Sequence, residues 1–278
     1  MKITIPLTVA ALFAFAANSL LARAALGNHA IDPASFTAVR LVSGAVVLAI
    51  LFSQQGGSLR RLPGSWGSGV ALLVYAAAFS FAYLRLGAAA GALILFGAVQ
   101  TSMLLWGMLQ RDRPTRAELA GLIIAFAALV YLLLPGLGTP DAFGSLLMIS
   151  AGVAWGIYSI RGRSTFDPIG QTAGNFMRAA ALVLPLALAQ IGQAHATITG
   201  ITLALISGGI TSGLGYVLWY RALPGLSTTQ AATVQLTVPI IAALGAVLFL
   251  SEALSVRLVV ASLCLLGGVS LAMLPRVR

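Results

Sequence analysis

The sequence QAATVQLTVPIIAALGAVLFLSEALS, residues 230–255, carries no charge over its first 22 positions, meets Glu252 near its end and is interrupted by Pro239. About 20 apolar residues rising 1.5 Å each cross a hydrocarbon core about 30 Å thick, so this stretch predicts a membrane-spanning helix. A buried helix of a soluble protein seldom needs so many uncharged residues. Pro239 removes one backbone donor and crowds the turn before it, which makes it a candidate hinge or gate.

The pattern recurs earlier in the chain. A shift of 139 positions carries Ala92, Leu93, Ile94 and Leu95 onto Ala231, Ala232, Thr233 and Val234, and Gln100 onto Pro239. A shift of 140 carries Asp112 onto Glu252, Thr115 onto Ser255 and Pro135 onto Pro275. The same shift carries Phe15, Asn18, Ser19 and Arg23 onto Trp155, Tyr158, Ser159 and Arg163. One offset serving both ends of each half predicts a single duplicated domain over 1–278, with repeat one at 1–138 and repeat two at 139–278.

Composition agrees. Hydrophobic residues make up 59% of the chain and charged residues 8%, with a mean hydropathy of +1.00, which points to the bilayer as solvent. A net charge of +10 raises the question of nucleic acid, but the arginines stand singly or in small groups between apolar runs. They orient spans and form no binding stripe. The one cysteine, Cys264, cannot close an intrachain disulfide.

Ten spans are predicted, at about 3–26, 33–53, 66–85, 88–109, 115–134, 143–161, 168–191, 201–222, 226–250 and 255–274. The first imitates a signal peptide, with Lys2, an apolar run and Ala22-Arg23-Ala24, but the run is too long and its match to 143–163 argues that it stays. With the N-terminus cytoplasmic, that side receives Lys2, Arg60, Arg61, Arg111, Arg113, Arg116, Arg161, Arg163, Arg221, Arg276 and Arg278. The other side receives only Arg23, Arg85 and Arg257. Both termini are therefore expected in the cytoplasm. Five spans per half is an odd number, so the halves enter from opposite sides as inverted repeats. The expected fold is an all-α integral membrane protein of ten transmembrane helices in two inverted five-helix repeats around a central cavity.

The ten-span duplicated layout, Pro239 followed by Glu252 in VPIIAALGAVLFLSEALS, and closing glycine-rich helices such as LLGGVSLAML resemble the EamA-type branch of the drug/metabolite transporter superfamily. The first half departs from that pattern, with Gln100 at the proline slot and Gln110-Arg111-Asp112-Arg113-Pro114 at the helix end. Within the superfamily the chain is most similar to the YddG-type bacterial exporters of aromatic amino acids. The resemblance implies a multi-pass protein of the bacterial inner membrane that exports small metabolites by alternating access.

The candidate cavity is read from the residues themselves. Tyr75, Phe79 and Tyr83 are four apart on one helical face, and Ser207 and Thr211 share another. Thr237 lies on span nine, and Asn18, Trp155 and Tyr158 come from spans one and six. Polar groups facing lipid are costly, so these side chains are expected to face inward, to bind solute or to bond between helices. Arg40 and Arg178, each following an Asp-Pro start, are the possible charge partners. The alternative for both is capping or snorkelling. Small-xxx-small pairs at Gly87/Gly91, Gly152/Gly156, Gly209/Gly213 and Gly208/Ser212 predict close helix packing.

All six acidic residues, Asp32, Asp112, Glu118, Asp141, Asp167 and Glu252, fall in loops or at span ends, and His29 and His195 fall in loops. No metal-ligand spacing, phosphate loop or paired-carboxylate motif occurs, so neither an enzyme nor a cofactor or metal is expected. The expected partners are a small-molecule substrate and membrane lipid, without nucleic acid, and the chain is expected to act as a monomer. Two classes stand: a carrier of small organic solutes, amino acids above all and alternatively nucleosides, sugars or drugs, and a non-transporting scaffold or lipid-handling protein. A reporter fused to the C-terminus is expected to be active only in the cytoplasm. Activity on the opposite face would overturn the ten-span count.

Overall fold

The computed structural model describes residues 4–110, 115–133 and 140–251, with scattered residues between 256 and 271. Among the described residues the chain is helical and holds no strand, only an isolated bridge between Ile31 and Ala196. Four helices open it: α1 (Thr4–Gly27), α2 (Pro33–Gln54), α3 (Trp66–Tyr83) and α4 (Ala88–Leu109). They are followed by α5 (Arg116–Leu133) and α6 (Ala142–Gly162). The pair α7 (Pro168–Leu182) and α8 (Leu184–Ala189) is split at Val183, where Pro185 cannot continue the ladder. Beyond it, α9 (Ile198–Ile206) runs through a wide-turned π segment (Ser207–Leu214) into α10 (Gly215–Ala222). The last described pair is α11 (Thr228–Val234) and α12 (Thr237–Leu250).

Short polar residues fix where these helices begin. Asp32, Asp141 and Asp167 accept the amide N–H groups of Ser35, Gly144 and Gly170, and Pro33 and Pro168 take first-turn positions that need no donor. Ser65 caps α3 and Thr197 caps α9, while Ser227 and Gln230 close a reciprocal capping box on α11. Pro239 has no N–H for the carbonyl four residues back, and the ladder breaks at Gln235–Leu236, so the predicted ninth span is two helices meeting at a joint.

Among the described residues seven helical stretches are long and apolar enough to cross a membrane: Thr4–Gly27, Pro33–Gln54, Trp66–Tyr83, Ala88–Gly107, Ala142–Gly162, Pro168–Ala189 and Ile198–Gly225. Leu119–Ala128 and Thr237–Leu250 are shorter apolar helices. Most of the predicted span 255–274, together with Glu252 and the arginines at 111, 113, 257, 276 and 278, lies outside the described residues. Burial follows the logic of a lipid solvent. Large apolar side chains such as Phe13, Val46, Leu146, Leu188 and Leu248 point outward, whereas Asn18, Arg40, Ser207, Ser212 and Gln235 are buried.

The centre is built from close crossings. α1 packs on α10, the π segment and α12, while α6 packs on α3 and α4, and α2 packs on α7 and the π segment. Glycine permits several of these approaches. A Cβ on Gly152 would strike the Leu95 carbonyl and Ala98, and one on Gly208 would strike the Arg40 carbonyl and Ser43. Gly87 differs from its expected packing role, because nothing lies within 4 Å of the position its Cβ would take. It follows the end of α3, so it belongs to the α3–α4 turn and not to a helix crossing. Replacing Gly208 by Leu forces backbone apart at the α2 crossing and is expected to cost about 1–3 kcal/mol. The thermal midpoint of the purified variant should fall accordingly, whereas Gly87→Ala should leave it unchanged.

Candidate functional site

Arg40 lies seven residues beyond Pro33 on α2, roughly 10 Å along the helix axis, and is 1% exposed. Its Nε donates to Ser212 Oγ at 2.9 Å, and its Nη2 donates to the hydroxyls of Tyr216 at 2.8 Å and Tyr75 at 3.1 Å. The guanidinium carbon sits 5.1 Å from the Tyr75 ring centre and 5.0 Å from that of Phe79. Nη1 has no hydrogen-bond partner. An effective desolvation penalty of several kcal/mol is offset by three charge-assisted bonds of about 1.5–3 kcal/mol each and two cation–π contacts of about 0.5–2 kcal/mol each. The cation is solvated by neutral dipoles and ring faces.

Asn18 of α1 ties this arginine to the π segment. Its Oδ1 accepts from Ser207 at 2.6 Å, Thr211 at 3.3 Å and Ser212 at 3.4 Å, while its Nδ2 donates to Tyr75 at 3.4 Å. Aromatic rings enclose the network. Trp155 of α6 lies 4.5 Å from Tyr216, 5.2 Å from both Tyr75 and Phe15, and 5.5 Å from Tyr158. Trp155 Nε1 donates to Gln235 Oε1 at 2.9 Å, and Gln235 Nε2 reaches the Met103 sulfur at 3.5 Å. Gln235 is the residue at the joint between α11 and α12, so the joint is bonded to the cluster.

Of the residues singled out in the sequence, Asn18, Tyr75, Phe79, Trp155, Tyr158, Ser207, Thr211 and Arg40 come together here. Tyr83 extends the ladder, its ring 4.7 Å from Phe79. Three others lie apart. The Thr237 hydroxyl donates to Val234 O at the joint, beside Pro239 in the first turn of α12. Arg178 donates to the carbonyls of Pro63 and Leu62, holding the loop before α3. Tyr216, Ser212, Gln235, Phe15 and Trp219 also belong to the cluster, although the sequence marks Ser212 only for helix packing and Phe15 only for the repeat. A shift of 141 positions, one more than the main repeat, carries Tyr75 and Phe79 onto Tyr216 and Tyr220, and it is the signal that finds Tyr216.

The two ends of the cluster differ. Toward the cytoplasmic face expected from the arginines lies a cavity of about 640 Å³ lined by Met103, Gln110, Ser159, Arg163 and Leu223. A larger hollow of about 710 Å³ between α4, α5 and α6 is walled mainly by apolar groups such as Ile94, Phe126 and Ile149, with hydroxyls at Thr101, Ser102 and Ser145. At the opposite end the loop after α1 is clasped to the loop before α9. Asp32 Oδ2 accepts the His195 amide at 3.0 Å, the Asp32 amide donates to His195 O at 2.9 Å, and the Thr197 amide donates to Ala30 O at 2.7 Å. The His195 ring nitrogen lies 3.2 Å from His29 O.

Residues 142–274 match the EamA-like transporter family. An uncharacterized protein of Pseudomonas aeruginosa is 50% identical over 98% of this chain and 95% of its own length. An uncharacterized transporter of Archaeoglobus fulgidus is 29% identical over 82% of this chain and 83% of its own, and the uncharacterized transporter YwfM of Bacillus subtilis is 27% identical over 83% and 81%. A crystal structure of 21% identity superposes with a TM-score of 0.79 over 99% of this chain and 96% of that one, a likeness of fold. The chain belongs to the EamA-like transporter family. The family domain and the transporter-named relatives point to a membrane transporter rather than an enzyme.

The loop clasp makes a prediction of its own. Burial pushes the Asp32 carboxyl up, but bonds from Ser35 and His195 outweigh it and hold the group below its ordinary value. A depressed carboxylate contributes stability that is complete above the ordinary value of about 3.9 and is lost as pH falls through the lowered one. The thermal midpoint of the purified protein should therefore owe nothing to Asp32 titration between about pH 5 and 8. Asp32→Asn turns an NH₂ toward the His195 amide, leaving two donors face to face, and is expected to cost about 1–3 kcal/mol across that range.

Proposed function

We propose that this chain carries small organic metabolites across the bacterial inner membrane by alternating access, with aromatic amino acids as the first candidates and export as the direction. The observation that carries the proposal is the cluster itself: one arginine bonded to neutral hydroxyls, walled by aromatic rings from α1, α3, α6 and α10. Such a site offers a hydrogen-bonding head and an apolar wall, as small-molecule sites do. It draws on both sequence halves, with Asn18, Arg40 and Tyr75 from repeat one and Trp155, Ser212 and Tyr216 from repeat two.

The reading takes the fold as ten helices in two inverted halves, 1–138 and 139–278, with both termini cytoplasmic. Packing supports it: α1 meets α9, α10 and α12 much as α6 meets α3 and α4, and α2 meets α7 across the middle. In this arrangement the solute lies between corresponding elements near the midplane. The cavity at Met103 and Arg163 is its approach from the cytoplasm, and the clasp at Asp32 and His195 is the closed opposite gate.

Proteoliposomes loaded in turn with labelled amino acids, nucleosides and sugars test the proposal. Aromatic amino acids should move down their gradient with no imposed proton gradient, because every described carboxylate caps a helix end and none lies mid-span. Trp155→Ala removes ring contacts worth about 0.5–1.5 kcal/mol beyond burial and should weaken apparent affinity up to roughly tenfold. Flux of nucleosides or sugars alone would keep the carrier and discard the amino-acid reading. Absence of flux for every class would leave the scaffold or lipid-handling alternative.

A further inference from the structure

Burying a guanidinium ordinarily demands a carboxylate partner, and among the described residues none stands beside Arg40. The three described carboxylates are each committed elsewhere. Asp32 holds the Ser35 and His195 amides, Asp141 holds the Gly144 amide and the Arg85 guanidinium, and Asp167 holds the Gly170 amide. Arg40 is instead bonded to three hydroxyls, with Nη1 unpartnered at 1% exposure. Its fork is thus half used.

The hydroxyls matter as much as the fork. The Tyr75 oxygen accepts from both Arg40 Nη2 and Asn18 Nδ2, and the Tyr216 oxygen accepts from Arg40 Nη2. Each phenol that accepts keeps its own proton to donate. An incoming oxyanion therefore meets the free Nη1 N–H groups and two phenolic O–H groups, the kind of donor set that planar carboxylates take in two-point fashion. The rings of Tyr75, Phe79, Trp155 and Tyr216 stand around those donors and suit an aromatic body. An ammonium brought to the same place would be repelled by the arginine.

From this we infer that Arg40 is the carboxylate anchor of the solute site and that the favoured solute is an aromatic monoanion, whose amino group, where it has one, is not recognised. The inference rests on reading the cluster as the solute site and narrows the class from zwitterion to anion. Net charge decides the preference: a monocarboxylate neutralises the buried cation, whereas a zwitterion brings a second cation with it.

Equilibrium binding to the purified full chain in nanodiscs, read by titration calorimetry, separates the possibilities with four probes of one shape. These are phenylacetate, phenylacetamide, L-phenylalanine and 2-phenylethylamine. Phenylacetate should bind at least tenfold more tightly than phenylacetamide and phenylalanine, and phenylethylamine should not bind. In Arg40→Gln, phenylacetate should fall to within about twofold of the amide. Should that variant fail to fold, the acid-to-amide ratio of the unaltered protein still decides. Equal binding of acid and amide, tighter binding of phenylalanine than of phenylacetate, or no binding of any probe overturns the inference, whatever the proteoliposomes show. Arg40-dependent phenylacetate binding without flux of any solute would uphold the anchor and sink the carrier reading.

Discussion

A single positive charge, without an ionic partner among the described residues and held at the middle of an apolar bundle, sets the terms for its neighbours. A guanidinium there must be solvated by protein, and every group that solvates Arg40 has to be delivered by a different helix: Tyr75 by α3, Ser212 by the π segment, Tyr216 by α10. Those deliveries require α2 to approach the π segment at backbone distance, which Gly208 allows. Asn18 then gathers three hydroxyls of that segment onto α1. The polar interior and the close helix crossings are thus one arrangement seen from two sides.

The aromatic layer follows from the same constraint. Tyr75 and Tyr216 serve the arginine with their oxygens and one another's surroundings with their rings, so the cluster has a wet edge and a dry edge. Trp155 lies on the dry edge and bonds Gln235 at the joint between α11 and α12. Through Gln235 and Met103 the layer reaches the cavity on the arginine-rich side, while the Asp32–His195 clasp closes the far end. The two ends of the bundle are therefore held by different chemistry, side chains at one and a carboxylate with loop backbone at the other.

Much of this was written in the sequence. Helix positions through residue 250 were legible because long uncharged runs, Asp-Pro starts and Ser or Thr caps each carry a direct physical meaning. Most of the cluster was legible too, since polar groups on apolar spans turn inward. Arg40 and Arg178 looked alike, each following Asp-Pro on corresponding spans, and only the fold separates them: one meets hydroxyls at the core, the other the carbonyls of the loop at Leu62 and Pro63. Tyr216 escaped because the repeat slips by one residue there. Gln235 escaped because a glutamine beside a proline-induced joint has no periodicity to mark it.

The π segment deserves its own reading as an element of phase. In an α-helix, residues five apart point about 140° away from each other, so Ser207 and Ser212 would face different neighbours. Bonding from Gly215 N–H to Ile210 O widens the turn, and Ser207, Thr211 and Ser212 all come to bear on one amide oxygen of Asn18. The widened turn also resets everything after it. Relative to straight α-winding, Tyr216 and Trp219 are rotated as though one residue had been added, which places both rings in the interior. An insertion costs a helix its register at lipid-facing positions; here the same slip is what aims the second half's tyrosine at the first half's arginine.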